Sequence, residues 1–171
     1  MLNGRFNQGG DKGRCSSELS KKGIDVRTLG TLLLTLGIKP EASDPRGLTH
    51  GVWRIFNGET SDFIRIKGLR DSRPGVPAAA VSGGQFAAHG NPAGDIFVMP
   101  RFFEGNTARR IGLSISQAIV MMHEVIHLTG KGDEEFAPGK GQDAGSRALS
   151  DLIIKSCYNG TLDSSDLAFN F

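Results

Sequence analysis

The sequence predicts an α+β domain in which a small, twisted, mostly antiparallel sheet packs on one buried helix, with additional helices around it. Apolar residues cover most of the circumference of a helix wound at 115–129. Short runs at 52–69 and 95–99 are typical of strands, and helical spacing recurs at 25–36 and 144–158. With 171 residues, 38% of them hydrophobic and 22% charged, the chain is most simply one domain with a substantial core.

The first 23 residues are polar and Gly-rich, so we expect an extended or partly disordered leader before a single domain over 24–171. This leader lacks the apolar stretch of a signal peptide. It contains Cys15, whereas Cys157 lies in the last predicted helix. A bridge between the two thiols would tie the leader to that helix and would suit an oxidising compartment. Two free thiols in a cytosolic protein are an equal alternative.

A core helix is predicted from Asp25, a suitable N-cap, until Gly37 and Pro40 end the apolar periodicity. Two strands at 52–56 and 63–69 follow, and a hairpin fits them best.

Residues 70–94 contain three prolines and a short Ala run, which predicts a long irregular connection around a short strand at 79–82. His89 lies in this connection, where a structural or exposed role is favoured over a binding role. Residues 95–99 form the strongest predicted strand, which Pro100 stops. A last helix is predicted at 144–158, followed by an apolar tail that can dock on the body.

The helix at 115–129 carries His-Glu-x-x-His, a pattern with a chemical mechanism. His123 and His127 are one helical turn apart, so both imidazoles can reach a single Zn²⁺. Glu124 follows the first ligand, where its carboxylate can polarise water. Ser114 or Ser116 can cap the start of the helix, and Gly130 can end it in a left-handed conformation. The alternative is a buried helix whose two histidines are satisfied by neighbours.

Residues 123–133 resemble the zincin metallopeptidases, and more closely the group in which HExxH continues as xxGxx and a third ligand. In metzincins that ligand is usually His; here the position holds Asp133, as in some small bacterial metalloendopeptidases, and Asp is a legitimate zinc ligand. No Met follows Met122, so the metzincin Met-turn is absent. The resemblance implies a zincin-like fold with one Zn²⁺ per chain on His123, His127 and Asp133.

The resemblance also implies a substrate strand. In zincin-like enzymes the strand above the metal often pairs with an extended peptide, and an ordinary central strand is the alternative. The residues of that candidate edge strand are Ile96, Phe97, Val98 and Met99.

A zinc-dependent endopeptidase is the function that this resemblance implies. Metal-activated water would attack the peptide bond with Glu124 as general base, and Tyr158 and His89 are candidate stabilisers of the transition state. Asp151 is the second choice as third ligand, although it shares a face with Arg147 and Lys155 at salt-bridge spacing.

Two other functions stay open. Peptide deformylases carry a helix similar to 123–130, which leaves a zinc hydrolase of a non-peptide amide as one alternative. A noncatalytic metal-binding or structural domain is the other.

The expected partner is a protein or peptide substrate. The net charge is only +2 and the basic residues are scattered, which argues against nucleic-acid binding. No apolar run is long enough to span a bilayer. A secreted protein, or a toxin or effector cargo domain delivered within a larger one, is favoured over a cytoplasmic protein. The oligomeric state is not predicted.

Overall fold

The computed structural model describes residues 12–35, 37–40, 53–56, 77–81, 95–98, 102–103, 105–106, 108–158 and 160–169. Four helices lie in these ranges: α1 Lys12–Lys21, α2 Val26–Thr35, α3 Leu113–Leu128 and α4 Gln142–Cys157. Four short strands accompany them: β1 Gly37–Pro40, β2 Trp53–Phe56, β3 Ala78–Val81 and β4 Asp95–Val98. Two 3-10 turns, Asp133–Glu135 and Ser164–Asp166, flank α4.

The predicted fold class, a zincin-like α+β domain organised around a sheet, is wrong. The helices are 10, 10, 16 and 16 residues long, whereas each strand has four residues. Most buried side chains that the structure describes belong to the helices and the segments flanking them, and only Ala78, Ile96 and Val98 come from strands. The described body is therefore helical, because the periodic apolar runs supply nearly all of its core.

The short strands pair in the order β1-β2-β4-β3, and every pair is antiparallel. β2 pairs with β1 on one edge and with β4 on the other, so Ile55 lies opposite both Ile38 and Ile96. Neither edge of β2 remains for the hairpin partner predicted at 63–69, a segment outside the described residues. Both neighbours of β2 in the sheet are therefore strands other than the predicted hairpin partner.

The leader prediction is also wrong for residues 12–21, which form α1. Cys15 and Leu19, one turn apart, are the buried residues of this otherwise polar helix. Cys15 is bonded to Cys157 at the end of α4, 142 residues further along the chain, with their Cα atoms 4.6 Å apart. Of the two alternatives for the cysteines, the structure shows the disulfide, and α1 folds because it is docked on α4. Residues 1–11 lie outside the described part.

Helix α2 is confirmed together with its N-cap. Asp25 Oδ1 accepts hydrogen bonds from the backbone N–H groups of Arg27 at 3.0 Å and Thr28 at 3.1 Å. These bonds satisfy two of the amides that the first turn of a helix leaves unpaired. Within the ranges that the structure describes, no helix combines the length and the apolar character needed to cross a membrane.

The segment 163–169 packs against the start of α3, which confirms that the tail docks on the body. Leu167, Ala168 and Phe169 are buried. Asn106 N–H donates to the Ala168 carbonyl at 2.8 Å, and Ile111 N–H donates to the Asp166 carbonyl at 2.9 Å. The amino-terminal end of the motif helix is therefore held by a segment that lies beyond α4 in sequence.

Candidate metal centre

Helix α3 places its polar motif among buried side chains. It begins at Leu113 after an N-cap at Gly112 that offers no side-chain bond, so the predicted caps at Ser114 and Ser116 are wrong. Ser116 instead donates to the Ile111 carbonyl at 3.1 Å and accepts from the Ala168 N–H at 2.9 Å. His123 and Glu124 are 1% and 5% exposed, which is unusual for residues of their polarity and requires partners.

A tight turn after α3 brings the chain back to the motif. Gly130 has a φ of 94°, the left-handed conformation predicted for the end of this helix. Glu135 braces the turn: its Oε1 accepts from the Gly132 N–H at 2.9 Å, and its Oε2 accepts from Lys131 Nζ at 2.8 Å. Asp133 opens the following 3-10 turn and is buried. The turn thus delivers a carboxylate to the face of α3 that carries the histidines.

His123, His127 and Asp133 form a group that could hold a metal ion, since their ligand atoms all lie within 4.8 Å of one another. Asp133 Oδ1 is 3.4 Å from His123 Nε2 and 3.3 Å from His127 Nε2. Two ligands at about 2.0–2.2 Å from a tetrahedral zinc ion would be about 3.3–3.6 Å apart. The two separations between Asp133 Oδ1 and the imidazoles match two edges of such a tetrahedron.

Asp133 Oδ1 is buried and makes no hydrogen bond within the described part of the chain. A buried acceptor without a partner costs about 1–3 kcal/mol, and more when it is charged. A cation placed between this oxygen and the two imidazoles would remove that cost. The donor set and the unbonded oxygen therefore fit a metal ion better than a structural hydrogen-bond network.

The second nitrogen of each imidazole is already engaged. His127 Nδ1 lies 2.6 Å from the Lys131 carbonyl, and a carbonyl can only accept, so this nitrogen carries the proton. His123 Nδ1 lies 3.0 Å from Ser150 Oγ on α4. Partners of this kind fix the tautomer of a metal-binding histidine and leave the Nε2 lone pair for the ion. Sequence reasoning missed Ser150, because nothing in the sequence links it to residue 123.

The charges of the group are strongly coupled. Burial opposes the protonated form of His127, but the contact with the Asp133 carboxylate, the nearby charge of Glu124 and the Lys131 carbonyl raise its pKa to about 9. Burial opposes the charged form of Asp133, yet the two imidazoles hold the pKa of its carboxyl well below the usual range. The Asp133 carboxylate therefore stabilises positive charge at the neighbouring His127 imidazole.

Access to the group is uneven. The side chains of His123 and Asp133 are 2% and 8% exposed, whereas that of His127 is 16% exposed. A ligand from solvent would therefore approach from the His127 side.

Several other predicted site residues lie elsewhere. Asp151 Oδ1 accepts from the Ser164 N–H at 2.7 Å, and Oδ2 lies 4.0 Å from Lys155 Nζ, so the described metal group does not include it. Tyr158 follows α4, eight residues or about 12 Å along the helix axis from Ser150, and packs against the core. His89 lies outside the described residues. The roles of Tyr158 and His89 as stabilisers stay predictions.

The predicted substrate-binding edge is not an edge. β4, which contains Ile96, Phe97 and Val98, lies between β2 and β3 with both sides paired, and Met99 lies outside the described residues. Among the described strands the outer positions belong to β1 and β3, and β3 packs against α3. The central position of β4 arises from long-range pairing, which a local strand pattern does not reveal.

No family model matches this chain, and the searches of curated proteins and of solved structures likewise return no match. The geometry of the site is therefore the basis of the function proposed below.

Proposed function

We propose that this protein is a zinc-dependent endopeptidase. The observation that carries the proposal is the buried Asp133 Oδ1, unbonded and 3.3–3.4 Å from the Nε2 atoms of both histidines of the motif. A carboxylate and two neutral imidazoles are a common zinc donor set when a catalytic site keeps one position open. His123, His127 and Asp133 would hold the ion.

Each side chain then has a defined task. The zinc ion, when bound, would act as a Lewis acid toward the scissile carbonyl. Glu124, buried on the same helix and next to the first ligand, would take the proton from the attacking water and return it to the leaving amine. The Lys131 carbonyl keeps His127 oriented throughout.

The proposed substrate is a protein or peptide that binds in extended form. β3 is an outer strand of the described sheet and lies against α3. Its outward backbone N–H and C=O groups are the kind that an added peptide strand can pair with. We therefore place the substrate backbone along β3 and no longer along β4.

Metal analysis combined with a casein digest tests the proposal. We expect about one zinc ion per chain and hydrolysis that a chelator abolishes and added zinc restores. Glu124→Gln should keep the zinc but lower the rate by about 10²- to 10⁴-fold, because it removes a base and leaves the ligands intact.

Three outcomes would contradict the proposal. A protein without stoichiometric zinc after zinc supplementation would remove the metal site. Zinc without any hydrolysis would indicate a noncatalytic metal domain. Cleavage of a formylated peptide but not of casein would point to a zinc hydrolase of non-peptide amides.

A further inference from the structure

We propose that helix α4 positions two of the three proposed ligands, although it supplies none itself. Gly145 lets the backbone of Asp133 lie directly against α4, and Ser150 orients the His123 imidazole. This inference rests on the metal-binding part of the proposed function and does not depend on the reaction. It assigns both residues as positioning residues.

Gly145 brings the backbone of α4 directly onto the backbone of the third ligand. A Cβ atom on Gly145 would lie 2.1 Å from the Asp133 carbonyl oxygen, 2.5 Å from its carbonyl carbon and 3.1 Å from the Glu134 nitrogen. These are backbone atoms, so no side chain can rotate away to make room. Any residue other than glycine would therefore push the Asp133–Glu135 turn away from α4 and move the carboxylate relative to the histidines.

Ser150 acts on the first ligand from the same helix. Its hydroxyl lies 3.0 Å from His123 Nδ1, and both residues are buried, at 0% and 1% exposure. For Nε2 to give its lone pair to a cation, Nδ1 must carry the proton and donate it to Ser150 Oγ. Without the hydroxyl, the buried N–H would lose this acceptor, and the other tautomer, with the proton on Nε2, would become competitive.

Helix α4 is anchored well enough for both tasks. Leu149, Ile153 and Ile154 bury its inner face, and Cys157 bonds its last residue to α1. Because the helix is fixed along its length, contacts at Gly145 and Ser150 hold Asp133 and His123 in one relative arrangement. A zinc site needs this, since its affinity falls about 10- to 100-fold when outer contacts of this kind are removed.

Two matched pairs of variants test the proposal by zinc affinity, measured as Kd in competition with a chelator. Ser150→Ala should raise the Kd about 10- to 100-fold, while Ser156→Ala, which removes another buried hydroxyl from the same helix, should leave it within about threefold. Gly145→Ala should raise the Kd by a similar factor. Its control Gly30→Ala, in α2 with open space around the new methyl group, should not.

The Nδ1–H proton of His123 in the zinc-bound protein gives an independent NMR readout. We expect slow exchange with solvent in the wild type, exchange about tenfold faster in Ser150→Ala, and slow exchange again in Ser150→Thr, which restores the hydroxyl. Ser156→Ala, the control on the same helix, should leave this exchange unchanged.

The results separate the possible failures. Wild-type zinc affinity in both Ser150→Ala and Gly145→Ala would overturn the inference, as would equal losses in the two control variants. If the wild type bound no zinc, the metal-site proposal would fail. In that case the free energy of unfolding of metal-free Gly145→Ala would still test whether α4 packs against the Asp133–Glu135 turn, and a value no lower than that of the wild type would overturn that contact.

Discussion

Helices α3 and α4 are both 16 residues long, yet the sequence indicates the role of α3 and only the structure indicates the role of α4. α3 buries ten of its residues and carries two proposed ligands and the proposed base, all visible in the sequence as one motif. α4 buries six, three of which are Gly145, Ser150 and Ser156, small residues with no chemical signature. A ligand-bearing helix can thus be recognised from its residue types, whereas a supporting helix is recognised only from what its small residues touch.

The two helices also differ in how they are held. Hydrogen bonds from the segment 163–169 fix the start of α3, and the Gly130 turn ends it. The Cys15–Cys157 disulfide holds the C-terminal end of α4, and Gly145 near its N-terminal end packs against the Asp133–Glu135 turn. Variants of each helix should therefore separate metal affinity from stability.

The largest effect is expected for the third ligand. Asp133→Ala should raise the zinc Kd about 100- to 1000-fold, because a total binding free energy of about 10–16 kcal/mol is shared among roughly four ligands. Asp151→Ala should leave the Kd nearly unchanged, since Asp151 is bonded to Ser164 and lies near Lys155. Chelator competition on the two proteins measures the difference. A large loss of zinc affinity in Asp151→Ala, with wild-type affinity in Asp133→Ala, would show that Asp151 and not Asp133 is the third ligand.

The next effect concerns the covalent anchor of α4. Replacing both Cys15 and Cys157 by Ser should lower the free energy of unfolding by about 2–5 kcal/mol, because the bond closes a loop of 142 residues in the unfolded chain. Urea denaturation followed by circular dichroism measures the loss. Ser17→Ala, an exposed change on α1, is the control and should stay within about 0.5 kcal/mol. Equal midpoints for the double variant and the wild type would show that packing alone holds α1.

The parts of the site that sequence reasoning predicted are local. His123, Glu124, His127 and Asp133 lie within eleven residues, and glycine chemistry accounts for the turn between them. The Asp25 cap was predictable for the same reason, since its bonds reach only two or three residues along the chain.

The parts that were missed depend on contacts between distant segments. Among the residues of α1 whose burial the structure describes, only Cys15 and Leu19 are buried, so the stability of this helix comes from α4 and its sequence shows little periodic signal. The central position of β4 and the partners of β2 are likewise set by pairing across the chain. The fold class failed because strands of four residues were given the organising role that the helices have.

Gly30→Ala and Gly145→Ala test the supporting role of α4, because they should change the free energy of unfolding in opposite directions. Gly30→Ala should raise the free energy of unfolding by about 0.5–1 kcal/mol, since alanine favours a helix and nothing lies within 4 Å of the new methyl group. Gly145→Ala should lower it by about 1–3 kcal/mol, because the collision with the Asp133 backbone outweighs the same gain. Thermal unfolding of the metal-free proteins measures both. Stabilisation by both substitutions would mean that α4 does not press on the ligand turn.

A smaller loss of stability than that of Gly145→Ala is expected at the start of α3. Ser116 donates to the Ile111 carbonyl and accepts from the Ala168 N–H, so Ser116→Ala leaves two buried backbone groups without this partner. We expect a loss of about 1–2 kcal/mol in the free energy of unfolding. Ser114→Ala, on the exposed side of the same turn, should cost less than about 0.5 kcal/mol.

The zinc affinity of Ser116→Ala shows whether a loss of stability in α3 also weakens the metal site. His123 lies nearly two helical turns beyond Ser116, and Ser116 bonds to Ile111 and Ala168, not to the proposed ligands. Ser116→Ala should therefore destabilise the protein, while its zinc Kd stays within about threefold of the wild-type value. Gly145→Ala should change both quantities. A parallel fall in stability and zinc affinity in Ser116→Ala would show that the site responds to any loosening of α3. The distinction between a helix that carries ligands and a helix that positions them would then have to be abandoned.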